Sequence, residues 1–503
     1  MNTQEWRSAL AGLTAAAAAL AVGELVAGFS QQLTSPVISV GNRVIDASPP
    51  EVKEFAISTF GHNDKKALAI GIFVLATLFG LGLGVAAGRR FVVGAAGIGL
   101  FGAVGLLAAV NEVDAPWWAG LPSVIGAAVG IAVLAFLLVP VGDVTEAPDA
   151  THRRAFLIGT SAVLAGAAIT AAAGRRLQSG FSAMGSRLAV VLPKAAKPVA
   201  AYEGLATQGI TPFITPNRDF YRIDTNFTVP QLPAEDWSLR IHGMVERELT
   251  FTYDDILALP QEEHRITIAC VSNRVGGDLV GNAVWLGTPL LPLLEQAGID
   301  PAADQVVGRA FDGFTTGFPV DAVKDGRNAL LAVGMNGEPL PLDHGFPARL
   351  VVPGLYGYVS ATKWLTEIEL TTFADFDQYW VRQTWAVDGT VHTQSRIDTP
   401  ARRRTIPAGP TAIGGVAWAQ HRGIERVEVR VDGGAWQEAE LAPEDTIDTW
   451  RQWVLRWEAT PGEHVAEVRA TDQTGKVQTQ DERPPYPAGA TGWHSRKIKV
   501  AEG

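Results

Sequence analysis

Ile266-Thr267-Ile268-Ala269-Cys270-Val271-Ser272-Asn273-Arg274-Val275-Gly276-Gly277 holds the one cysteine of a 503-residue chain. The β-branched run predicts a short strand up to Ala269, and the glycines predict a loop after it. The thiol is thus delivered into a loop that also carries Arg274, and a nearby cation lowers a thiol's pKa. A thiolate is a soft ligand that suits a soft or high-valent metal. It also suits nucleophilic catalysis, with His344 or another histidine as base. A lone cysteine is also a common small buried hydrophobe. The residues alone leave these three readings open.

One cysteine excludes a disulfide framework and any zinc or iron–sulfur site of the CxxC kind. The net charge of −11, with no basic stripe, argues against a nucleic-acid partner. Hydrophobic residues make up 47% of the chain, and the excess lies almost entirely before Arg175. At about 100–200 residues per domain, the length allows two or three domains.

Upstream, residues 9–29, 67–88, 91–110, 117–139 and 155–173 each approach the roughly 20 apolar residues that cross a bilayer as a helix. None has Lys or Arg in its interior, and a buried soluble helix would show a polar face. Residues 1–176 are therefore predicted to be a five-helix transmembrane region. Arg7, Arg89-Arg90 and Arg153-Arg154 fall on alternate connections, which places them in the cytoplasm and everything after Arg176 outside. Lys65-Lys66 and Arg175-Arg176 run against that rule. Thr151-His152-Arg153-Arg154-Ala155-Phe156-Leu157-Ile158, before an apolar run, resembles a twin-arginine export signal. No histidine lies within the spans, with His62 and His152 only at their edges, so intramembrane haem is not expected. Glu24 is an intramembrane or interfacial acid, and anchoring is the expected role.

Downstream, residues 177–201 form a linker ending in Pro193-Lys194-Ala195-Ala196-Lys197-Pro198. Short strands such as 238–242 and 349–352, helices at 253–259 and 290–297, and Leu-Pro, Asn-Gly and Pro-Gly turns predict an α+β domain over 202–400. Val427-Glu428-Val429-Arg430-Val431 alternates, Asp432-Gly433-Gly434 signals a hairpin, and 453–457 and 464–470 are further strands. This predicts an immunoglobulin-like β-sandwich over 401–503.

Cys270-Val271-Ser272-Asn273-Arg274 followed by Gly281-Asn282-Ala283-Val284-Trp285-Leu286-Gly287-Thr288-Pro289-Leu290 resembles the segment of the sulfite oxidase family that supplies the molybdenum thiolate. Met335-Asn336-Gly337-Glu338-Pro339-Leu340-Pro341-Leu342-Asp343-His344-Gly345-Phe346-Pro347-Ala348-Arg349 and Val352-Pro353-Gly354-Leu355-Tyr356-Gly357, leading to Lys363-Trp364-Leu365, resemble its cofactor-holding stretches. Gly415–Trp418 and Val427–Trp436 resemble its C-terminal sandwich, which implies homodimerisation as in relatives. The similarity runs from about Tyr202 to the C-terminus and leaves out the helices.

The resemblance implies Mo-molybdopterin as cofactor, with Cys270 on the metal and His344, Arg349, Thr362 and Lys363 holding the pterin and its phosphate. Phe220, Tyr221, Arg222 and Asp224 match the covering segment. Arg222 and Arg422 match substrate cations, and Arg274 adds positive charge. The implied activity is oxygen-atom transfer on a small polar or anionic substrate outside the cytoplasm, with a separate electron carrier, a cytochrome or the quinone pathway. Related methionine-sulfoxide reductases leave the direction open.

Three departures weaken sulfite as the substrate. Arg222-Ile223-Asp224 stands where the family usually shows Arg-Asn-His. In Tyr379-Trp380-Val381-Arg382-Gln383-Thr384-Trp385 a tryptophan replaces the family's active-site tyrosine. The haem domain of the animal enzymes has no counterpart. A competing reading is a catalytically inactive, membrane-anchored surface protein that binds partners through its sandwich; another is a five-helix transporter or sensor.

Overall fold

The computed structural model describes residues 3–60, 63–112, 115–138 and 150–502. His62, the expected span end at Val139 and positions 113–114 lie outside them, as do the side chains of 151–153. The chain divides into two compact units, one of Met1–Ser182 with Thr225–Gln231 and one of Ala183–Asp224 with Leu232–Gly503.

The first unit is helical: α1 (Thr3–Ala27), α2 (Pro36–Ala47), α3 (Pro50–Phe60), α4 (Asp64–Arg89), α5 (Phe91–Val110), α6 (Leu121–Leu138) and α7 (Ala150–Ser179). Among the described residues five helices are long and apolar enough to cross a bilayer, by length and composition, and they match the five expected spans. Helices α2 and α3 lie between the first and second of these. Pro36 opens α2 behind Ser35, whose hydroxyl accepts the Ile38 N–H, the usual start signal for a short helix. Helices α1 and α4 cross at glycines: a Cβ on Gly84 would stand 2.0 Å from the Ser8 carbonyl oxygen. Small residues at such crossings let two backbones touch. The Glu24 carboxylate accepts from Gln178 Nε2 of α7 at 3.2 Å. The segment 225–231 belongs to this unit, with the Phe227 ring against Gly41 and the Phe227 N–H donating to Asn42 Oδ1 at 3.0 Å.

The second unit opens with a short helix, α8 (Met184–Ala189), inside the stretch predicted to be plain linker. Its mixed part carries β1 (Ser238–Gly243), β2 (Leu249–Thr252), β3 (Glu262–Ala269), β4 (Val280–Pro289), β5 (Gln305–Ala310), β6 (Thr315–Pro319), β7 (Leu330–Met335), β8 (Glu338–Pro339), β9 (Arg349–Val351) and β10 (Leu365–Thr371). One sheet runs β2-β1-β10-β5-β6, with β1 and β10 parallel; the other runs β3-β4-β7-β8, with β9 beside β7. Helices α9 (Tyr253–Ala258) and α10 (Leu290–Ala297) fall where periodicity placed them, α9 behind a Thr252–Asp255 capping box. A single apolar core joins both sheets.

The C-terminal part holds β11 (Gln394–Thr399), β12 (Thr405–Ile406), β13 (Gly409–Trp418), β14 (Ile424–Val431), β15 (Gln437–Glu438), β16 (Glu440–Leu441), β17 (Arg451–Ala459), β18 (Gly462–Asp472) and β19 (His494–Val500). Sheets β11-β13-β17-β16 and β12-β19-β18-β14-β15 enclose one core that includes Ile413, Val427, Trp453 and Val468. This is a sandwich, and it starts before the expected boundary at 401. Strand β11 pairs with β13 from Gln394, because Ile397 has its apolar partners in the sandwich core. Val416, Trp418 and Trp450 reach the other way into the core of the mixed part.

Candidate functional site

Strand β3 runs antiparallel to β4 and is buried over its second half, which carries Cys270 to the end of the ladder. The Cys270 N–H donates to the Leu279 carbonyl at 2.9 Å, and the Cys270 carbonyl accepts the Asn273 N–H at 3.0 Å. Asn273 Oδ1 accepts from the Leu279 N–H, closing the loop on itself. Cys270 is 8% exposed. At Gly276 φ is +74° and a Cβ would lie 2.3 Å from the His494 ring, so both conformation and space require glycine. His494 Nδ1 accepts the Ile397 N–H at 2.9 Å, and Arg396 donates to the Gly277 carbonyl at 2.8 Å. The sandwich thus clamps the far end of the thiol loop. Sequence reasoning missed both residues, because the partners lie more than a hundred positions apart.

Phe220 turns its edge to Trp285 and His344, with ring centroids 5.9 and 5.5 Å away, and Tyr221 stacks on it. The Tyr221 hydroxyl and the Ala269 carbonyl approach Gly357 from the same side, at 3.9 and 3.8 Å from where its Cβ would be. Burial pushes the Tyr221 phenol well above its usual range, the Cys270 thiolate adds to the rise, and Arg349 opposes it. Tyr356, in a motif quoted above but given no role there, is similarly raised by burial and by Cys270, against the His392 N–H and Arg422. Its hydroxyl oxygen accepts that N–H at 3.3 Å. Two phenols therefore stand within electrostatic reach of the thiol.

Three cations gather nearby. Arg349, 4% exposed, donates among the described residues only to backbone carbonyls, with His344 O nearest at 3.1 Å, and lies over the Trp285 ring. Burial lowers it to about 10. Lys363 Nζ reaches Asp224 at 3.0 Å and the Asp343 carbonyl at 3.1 Å, and burial pulls it down while Asp224 holds it up. Arg222 pairs with the same carboxylate at 2.8 Å. His344 is buried and pushed down to about 4 by burial, with Lys363 and Arg349 adding to the fall against Asp343. As a neutral ring its Nε2–H donates to the Asn217 carbonyl at 3.1 Å, which leaves Nδ1 as an acceptor.

Other expected site residues stand differently. The Thr362 hydroxyl is shared with Thr316 Oγ1 at 2.7 Å, so only Lys363 of that pair brings its side chain to the cluster. Arg422 is tied to Asp472 at 3.0 Å, to the Val391 carbonyl and to Thr393. Arg274 is exposed on the loop, and its carbonyl accepts the Gly277 N–H. Trp385 keeps its indole N–H buried without a hydrogen-bond partner.

The model of an oxidoreductase molybdopterin binding domain matches residues 226–380. Mouse mitochondrial sulfite oxidase is 30% identical over 348 residues, covering 59% of this chain and 63% of its own. The chain thus carries a molybdopterin-binding oxidoreductase domain similar to that of the sulfite oxidases. It spans about three fifths of the length of the sulfite oxidases it matches first. The chain also resembles a tomato NADH nitrate reductase, 27% identical over 54% of the chain and 36% of that protein. Its fold matches the sulfane dehydrogenase SoxCD of Paracoccus pantotrophus with a TM-score of 0.52, at 26% identity over 58% of this chain and 82% of that one.

The matched molybdopterin-binding domain implies Mo-molybdopterin, and the donor set fits it. Arg222 and Lys363 share the carboxylate of Asp224, and Arg349 meets backbone carbonyls, so these three cations outnumber that carboxylate. A buried guanidinium with only carbonyl partners is costly unless an anion joins it, and a phosphate-bearing pterin is such an anion. Among the described residues no three His, Cys, Asp or Glu side chains are grouped to hold a metal ion.

Proposed function

We propose that this protein is a membrane-held molybdenum oxidoreductase that transfers an oxygen atom to or from a small anionic substrate outside the cytoplasm. The observation that carries the reading is the convergence of one buried thiol, two phenols and a cation cluster with an excess of positive charge. Mo-molybdopterin, when bound, supplies a two-electron metal centre competent for oxygen-atom transfer.

The chain's own residues would do the rest. Cys270 would bind the metal, and the clamped loop would fix where its sulfur points. Arg349, Lys363 and His344 would hold the phosphate and the ring system, with Phe220 and Tyr221 covering them. Arg222, more open than Lys363, would draw an anionic substrate to the metal. The Tyr356 hydroxyl, whose oxygen is occupied by the His392 N–H, keeps its proton to donate toward the centre. Arg422, held by Asp472, would act on Tyr356 through its charge. The immunoglobulin-like reading of the sandwich and its use for dimerisation belong to the same proposal.

Membrane placement is supported by the length and apolarity of five helices and by Trp117 and Trp118 exposed between α5 and α6, since tryptophan favours the bilayer interface. The test is metal analysis of the full-length protein purified in detergent from a cofactor-rich host. About one molybdenum per chain is expected, lost in Cys270→Ser. Metal-free wild-type protein overturns the reading.

A further inference from the structure

We propose that the turn Ala401–Arg404 and the adjoining edge of β19 form the docking face for an acidic redox protein that exchanges electrons with the Cys270 centre. This rests on the oxidoreductase reading above and adds the place and the charge of the partner.

The need comes from stoichiometry. A substrate that gains oxygen from water releases two electrons and two protons; the protons go to solvent, and two carrier molecules take one electron each. In the reductive direction two carriers give them back. The 503 residues contain one cysteine, which the metal would use, so they supply no thiolate set for an iron–sulfur relay. With a separate carrier, as the oxidoreductase reading has it, the electrons would cross the protein surface.

The place comes from geometry. The Arg404 N–H donates to the Ala401 carbonyl at 3.2 Å and Arg403 has φ +64°, a tight turn that lifts Arg402 and Arg403 to its corners. Arg402, Arg403 and Arg404 are all exposed, as are Lys497 and Lys499 on β19, where Lys499 pairs in register with Thr405. Among the described residues none of these five has a carboxylate within ion-pair distance. Asp398, the carboxylate nearest in sequence to the arginines, is already bound by Arg396 and by the Thr211 N–H. Glu463, opposite Lys499 in the ladder, is the acid that faces the edge.

The patch is also linked to the thiol by a run of hydrogen bonds and packed contacts. Arg496 donates to the Asp398 and Pro400 carbonyls, which pins the turn to β19. Two residues earlier on β19, His494 rests on Gly276. From Gly277 the loop's own hydrogen bonds run through Arg274 and Asn273 to Cys270. A cluster of cations on a chain of net charge −11 is a local exception. An acidic partner would be repelled elsewhere and steered here, which sets both its rate of encounter and its orientation. Transient redox encounters use small faces, and a five-cation patch is of that kind.

The test uses the full-length holoprotein in detergent, with three probes: a strongly acidic two-iron ferredoxin, a strongly basic cytochrome c, and a small artificial dye. Calorimetry should show the ferredoxin binding at low salt, and the cytochrome should bind more weakly. In Arg402→Glu/Arg403→Glu/Arg404→Glu ferredoxin binding should weaken at least tenfold, and its electron exchange with the metal, followed by stopped-flow, should slow as much. Dye exchange should stay at the wild-type rate. The triple lysine variant should bind as the wild type does, which separates charge from folding. Equal ferredoxin binding in the glutamate variant, preference for the cytochrome, or slowed dye exchange overturns the proposal. So does loss of binding to phosphatidylglycerol vesicles in place of ferredoxin, which would make the patch a lipid contact. If the wild-type protein carries no metal, the oxidoreductase reading fails by itself, while ferredoxin calorimetry still reports on the patch.

Discussion

Asp224 accepts from Arg222 at 2.8 Å and from Lys363 at 3.0 Å, and its side chain is 4% exposed. Removing one partner of a buried pair leaves the other charge uncompensated. Metal-free Asp224→Asn should therefore lose about 3 kcal/mol of stability, measured by denaturation in detergent. Adding Lys363→Met to that variant should restore most of it, and purely additive effects would show that the pair is not coupled. The histidines give a second test at this scale. His344 and His494 are both depressed to about 4 from 6.5, in each case first by burial and with neighbouring arginines assisting. Because the folded values lie below the unfolded ones, the unfolded chain takes up these protons first as pH falls. The stabilisation is whole above about 6.5, and it is lost as pH drops toward about 4. Each shift corresponds to roughly 3 kcal/mol. The thermal midpoint of the metal-free protein should fall across that window and fall less steeply in His494→Gln; a flat profile contradicts the assignment.

The thiol loop shows what an element asks of a neighbour it cannot see in sequence. A strand ending at Ala269 and a glycine loop after it were legible, because period and turn chemistry are local signals. The ring that fills the space above Gly276 comes from β19, and the guanidinium on Gly277 from β11; no spacing rule links them. Gly276→Ala would force both a left-handed conformation and a collision. It should cost about 2 kcal/mol and expose the Cys270 thiol, read as faster alkylation of the metal-free protein. Unchanged reactivity would mean that the clamp does not set the loop. For the same reason Lys363, His344, Arg349 and Asp224 could be picked out from short contiguous motifs, while the ion pair that joins Asp224 to Lys363 and the surroundings of Tyr356 could not. Thr362 was chosen by adjacency, and its hydroxyl turned out to face Thr316. Strand β11, which pairs with β13 on the near side of residue 401, carries no turn or hairpin signal that ties it to the later strands.

At the scale of the whole molecule, apolar runs foretold the helices, but nothing in residues 225–231 foretold that they would cluster with them. That segment has no hydropathy signature; it belongs there because Phe227 fits over a glycine and its N–H meets Asn42. The backbone therefore passes between the two units three times, at 182, 224 and 231. A protein cut to begin at Ala183 keeps Phe227 while losing what covers it. It should self-associate, and Phe227→Ser in that shortened chain should return it to a monomer on a sizing column; a monodisperse shortened chain without the change would count against this. Residues 220–224, which would cover the cofactor, lead directly into this stitch. Because the chain crosses three times, a cut at one crossing leaves the others in place, and deleting the helices leaves 225–231 without the residues they cluster with.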